Sequence, residues 1–207
     1  VKRMLLDRFR NDFDLTDGQV SDAAEFVGLT PLQEVRARFG GCTFRDGLYR
    51  IHGESSAAVA KAWVDDAFPE FKGRFEIFGF DWLGRQFAAD RARGEASDPE
   101  VMLIEPGAGE ALEIPVPFSK FHDEELVDYS DEALAVNFYA QWRSQSPGSL
   151  GFDQCAGYQV PLFLGGKDQV ENLELSDIEV YWGIMGQLRA QAREVGLGNP
   201  IAGIDLS

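Results

Sequence analysis

The chain has 207 residues, with 19 Lys+Arg against 35 Asp+Glu, a formal net charge of -16, and 44% hydrophobic content that includes 16 Phe and 4 Trp. That apolar content excludes pervasive disorder. The dispersed acidity argues against direct binding to nucleic acid or to an anionic membrane, because phosphate is held by Lys and Arg, and it makes a basic polypeptide the natural complement.

Thr30-Pro31-Leu32-Gln33 combines a hydroxyl N-cap, a proline at the first helical position and a Gln placed to close a capping box. This predicts a helix over 31–39 that stops at Gly40-Gly41. Gly47 to His52 reads as a short strand, and 57–68 as a helix with Val59, Trp63 and Ala67 on its apolar face, ended by Pro69. Runs at 74–80, 85–89, 101–105 and 111–115 are rich in aromatic and branched residues and read together as an antiparallel meander. The polar stretch 92–99 is open to two readings, an interdomain linker or a long hairpin turn, and its strand-like flanks favour the turn.

Helices follow at 118–127 and 130–144, the second with Leu134, Phe138 and Trp142 at four-residue spacing. Tyr158 to Leu164 reads as one more strand, closed by Gly165-Gly166. A last helix is announced by Ser176 and Glu179 as a capping box ahead of Ile178, Tyr181, Met185 and Leu188, with Gly196 as its terminator. Helices, a central run of strands and helices again predict an α+β fold with a central antiparallel meander flanked by N- and C-terminal helices.

Charge is unevenly placed. Residues 1–94 hold 14 Lys+Arg and 15 Asp+Glu, while 95–207 hold 5 and 20, so the net charges are -1 and -15. This suggests a division into 1–94 and 95–207, although one continuous α+β body fits the predicted meander better.

The chemistry-bearing residues are few. Cys42 and Cys155 lie far apart with no paired spacing, so neither a disulfide framework nor a zinc site is indicated, and both read as buried thiols. His52 and His122 are the only histidines. Gly107-Ala108-Gly109 reads as a hairpin turn, because no helix follows it to hold a phosphate. His122-Asp123-Glu124-Glu125 reads as an exposed acidic helix start, and Asp168 to Glu174 lacks the central glycine of a calcium loop. Asp65, Asp66 and Glu70 offer carboxylates for a hydrolase but read as a solvated helix end. Trp82, bracketed by Gly79 and Gly84, has two readings: core packing, or an exposed aromatic anchor. No run of about 18 apolar residues offers a membrane span. Charged residues from Arg3 to Asp14 interrupt any signal-peptide core, so a cytoplasmic protein is expected.

The segments FGGCTFRDGLYRIH (39–52) and FDWLGRQFAAD (80–90) resemble the GAD-like region of bacterial immunity proteins. EPGAGEALEIPVPFSKFHDEELVDY (105–129) and GYQVPLFLGGKDQVENLELSDIEVYWGIMGQL (157–188) resemble the C-terminal domain that accompanies it in immunity proteins of type VI secretion DNase toxins. The order of elements also looks like the SUKH group. The resemblance implies a non-enzymatic cytoplasmic protein, without cofactor, metal or catalytic residues, that binds a cognate toxin and blocks it by occluding or distorting its active site. A SUKH-type scaffold and a small carboxylate hydrolase are the competing readings. For contacts with a basic toxin, the sequence offers Asp123, Glu124, Glu125, Asp128, Asp131 and Glu132, a second group of Glu171, Glu174, Asp177 and Glu179, and Trp82.

Overall fold

A computed structural model describes residues 6–21, 28–146 and 148–195. Seven strands form one antiparallel sheet in strict chain order: β1 (Leu15–Asp17), β2 (Thr43–Phe44), β3 (Tyr49–Ile51), β4 (Phe75–Asp81), β5 (Gln86–Glu95), β6 (Asp98–Glu105) and β7 (Glu110–Pro117). Helices α1 (Asp7–Asp12), α2 (Pro31–Phe39) and α3 (Glu54–Ala67) are interspersed among the early strands. After β7 come the short helices α4 (Phe118–Lys120) and α5 (Leu126–Asp128), joined by a π-helical turn at Phe121–Glu125, then α6 (Ser130–Leu134) and α7 (Val136–Gln145). A two-stranded sheet of β8 (Gln154–Tyr158) and β9 (Leu173–Asp177) leads into α8 (Ile178–Val195). The expected α+β meander with flanking helices is therefore observed.

The central strands read as nearly continuous apolar runs because the sheet is covered on both sides, whereas a sheet with one wet face alternates. Phe78, Phe87, Ala89, Val101 and Leu103 face one core with Phe9, Phe39 and Trp142 of the helices. Ile77, Phe80, Ala88, Met102 and Ile104 face the other, covered by Val64 of α3 and by Trp182 and Met185 of α8. The stretch 92–99 is a hairpin: β5 and β6 pair through Gly94↔Pro99 and Glu95↔Asp98, after a register shift between Asp90 and Gly94, so both strands of one sheet meet across residue 94.

The N-cap reading of α2 is matched in full, with Thr30 and Gln33 bonding each other's backbone N–H. Other elements depart from expectation. The inner face of α3 carries Ala57, Ala60, Val64 and Ala67, and Val59 is exposed. Small residues win there because α8 lies close: a Cβ on Gly186 would stand 3.1 Å from the Ala67 Cβ. The helix expected over 130–144 is broken at Ala135, whose backbone is left-handed at φ 51°. The strand placed at 158–164 instead runs from Gln154 to Tyr158, where its pairing with Leu173 ends, and a 3₁₀ turn occupies Leu162–Leu164. The cap of α8 is Asp177, whose Oδ1 accepts from Val180 N at 3.0 Å. Ser176 lies one residue too early, because α8 begins at Ile178, and its hydroxyl donates to Glu174 O instead. Gly196 lies outside the described residues.

Candidate partner-binding surface

Trp82 is wholly buried and is not an exposed anchor. It belongs to the β4–β5 turn, Asp81 to Arg85, and each polar group of that turn holds something different. The Asp81 carboxylate accepts from Leu83 N at 3.1 Å, Arg85 N at 3.0 Å and Arg85 Nε at 2.6 Å. Arg85 Nη2 donates to Ala133 O and Trp82 Nε1 to Leu134 O, while Trp82 O accepts from Ala156 N. Gly84, at φ 76°, lets the chain turn there and offers its carbonyl to Trp182 Nε1 at 2.8 Å. The glycines that suggest a flexible aromatic loop in the sequence are thus the means of a tight internal joint.

Arg50 reinforces the joint from β3. Its guanidinium lies 4.3 Å from the Phe80 ring centroid and donates to Gly151 O, Gln154 O and Asp81 O. Burial lowers its pKa to about 10, which leaves it charged at neutral pH.

The two histidines are core residues. His52 stacks on Phe80 and bonds Gln86, and His122 bonds the Tyr49 hydroxyl at 3.0 Å. The acidic helix start expected at 122–125 is therefore only partly exposed, since His122 turns inward. Both thiols are buried, and burial pushes Cys155 up to about 12, so neither is poised as a nucleophile. Asp65 accepts from Lys61 at 2.5 Å. Burial alone pushes the Glu70 carboxyl up, but hydrogen bonds from Arg189 and Arg193 prevail and hold it down to about 2. An ion-paired carboxylate of that kind is the opposite of the raised-pKa acid a glycosidase needs. No cluster of metal-ligating side chains occurs among the described residues.

The two acidic groups differ in how far the protein uses them. In the first, Asp123 accepts from Phe9 N at 2.9 Å, and Asp128 takes two hydrogen bonds from Arg8, which hold its carboxyl below the usual range. Asp131 accepts from Asn137 N and Nδ2, both at 2.7 Å, and Glu124 faces Lys120 at 3.4 Å. Burial and the nearby Glu132 raise Glu125. Most of this group thus ties α1 and the helices after β7 together.

The second group is largely unspent. Glu171, Glu174 and Glu179 are exposed and form no ion pair among the described residues, and Asp177 serves only as the cap of α8. No Lys or Arg occurs between Lys167 and Arg189. Among these acids stand Leu175, Val180 and Ile184, with exposures of 58%, 56% and 39%. The apolar members are not visible in the sequence as a surface, because the pattern of α8 reads first as its core face.

Residues 117–189 match the family model described as T6SS immunity protein Tdi1, C-terminal. This segment is thus similar to the C-terminal part of Tdi1 immunity proteins. The Tdi1 segment begins at the last residue of β7 and closes within α8, so it contains both acidic groups and the exposed apolar residues but not Trp82. A match to an immunity-protein model accords with the expectation of a non-enzymatic protein. No curated protein gives a significant match. A crystal structure of Atu4351 from Agrobacterium tumefaciens is similar in fold, with a TM-score of 0.55 over 88% of this chain and 89% of that one, at 15% identity. Among the described residues no helix is long and apolar enough to cross a membrane.

Proposed function

We propose that this protein binds and neutralises a cognate toxin of a type VI secretion system inside the cell that carries both, and that the toxin is a nuclease. The observation that carries the reading is the Tdi1 match over residues 117–189. The nuclease assignment is supported by charge: a nuclease must present Lys and Arg to phosphate, and this chain, at -16, is an electrostatic complement to such a surface. Binding over the substrate groove accounts for inhibition without any catalytic group of this protein.

The test is co-expression of the open reading frame beside this gene, with and without this chain, scoring viability and the integrity of genomic DNA. Degraded DNA in the unprotected cells, rescue by this chain and co-purification of the two are expected. Rescue from death without DNA damage would keep the immunity role and discard the nuclease. A neighbour that is harmless alone would overturn the reading.

A further inference from the structure

We infer that the corner where β9 enters α8 is the face that takes the toxin, with Leu175, Val180 and Ile184 as apolar anchors and Glu174, Asp177 and Glu179 as their acidic rim; this rests on the toxin-binding reading above. Val180 and Ile184 are one helical turn apart and so adjoin on the outer side of α8. Gly183 lies beside them, and a Cβ there would meet nothing within 4 Å, so an incoming side chain can approach the helix backbone. Singly exposed apolar residues need no explanation, but three within ten positions, rimmed by polar groups, have the anatomy of a binding patch.

The occupant is set by charge. Five acids and no Lys or Arg lie between positions 168 and 188, so the patch complements a basic polypeptide. A second copy of this chain would bring one uncompensated acidic rim against another. The first acidic group is the weaker site, because Asp123, Asp128 and Asp131 are engaged within the fold. Here the apolar residues supply the lasting contact and the rim supplies the rate of encounter.

The test titrates the polypeptide encoded beside this gene with the wild-type chain, with Val180→Asp/Ile184→Asp, and with Glu124→Lys/Glu132→Lys in the other acidic group. The apolar pair replaced by Asp is expected to weaken Kd by about 100-fold or more and to abolish rescue, with an unchanged melting temperature. The Lys variant is expected to leave the dissociation rate within about twofold. Wild-type binding with the Asp variant within about threefold of it would overturn this face while leaving the immunity reading intact. Failure of the wild type itself to bind would overturn both. A benzophenone side chain placed at position 180 tests the same face without added charge. Cross-links to the neighbouring polypeptide support it, and cross-links to a second copy or to residues 196–207 of this chain overturn it.

Discussion

His122 is enclosed by the rings of Phe9, Tyr49, Phe78, Phe118 and Phe121, and burial holds its pKa down to about 3. The unfolded chain takes up a proton on this residue below pH ~6.5, while the folded protein excludes it. Its contribution to stability is therefore intact above pH ~6.5 and is lost as pH falls from there towards 3. His52, held to about 4 by burial against a weaker opposing hydrogen bond from Gln86, acts with the same sign. Between pH 7 and 5 each histidine is expected to withdraw about 2 kcal/mol. Denaturant titrations of the wild type and His122→Gln at pH 7 and pH 5 measure this: the variant should lose about half of the histidine-dependent change, and equal pH dependence in both proteins would refute it. Nothing in the sequence distinguishes His122 from a surface residue, because the acids that follow it mark a solvated helix start. The inward turn comes from aromatic neighbours distant in the chain.

At the level of elements, stability should follow the caps and breaks that the structure places. Asp177→Ala is expected to lower unfolding free energy by about 1 kcal/mol by removing the N-cap of α8, while Ser176→Ala should change it little. The reverse order would restore the cap read from the sequence. Ala135→Gly relieves a left-handed backbone at the α6–α7 break and is expected to raise stability by about 0.5–1 kcal/mol, read as a higher midpoint in urea. The legible elements were those with local signals: the Thr30/Gln33 box of α2, the 92–99 hairpin and the apolar strands of the meander. Elements decided by distant pairing were misplaced. β8 shifted to follow β9, and α3 rotated by about one residue so that its alanines could meet α8.

For the whole molecule, the separation of charge from anchor residues predicts a kinetic signature. Raising NaCl from 50 to 500 mM screens the exposed acids and should slow association with the toxin by about tenfold or more, leaving dissociation nearly unchanged. Stopped-flow measurement across that range is the check, and a salt-insensitive association rate would remove the electrostatic part of the proposal. The sequence revealed the amount of charge and its bias towards 95–207. It did not reveal which acids are free, because Asp123 and Asp131 look like Glu174 until their partners are known.

The turn at Asp81–Arg85 has a consequence for inheritance. Its groups and Arg50 bond the carbonyls of Ala133, Leu134, Gly151 and Gln154, the N–H of Ala156 and the indole of Trp182, all within or beside the Tdi1 segment. Recombination that exchanged residues 117–189 alone would leave these donors and acceptors buried opposite a backbone they had not been matched to. An exchange of that segment by itself is therefore expected to destabilise the fold. The outward side of α8, proposed above as the toxin face, bonds none of these groups, so on that proposal new specificity could be written there by point mutation without disturbing the joint.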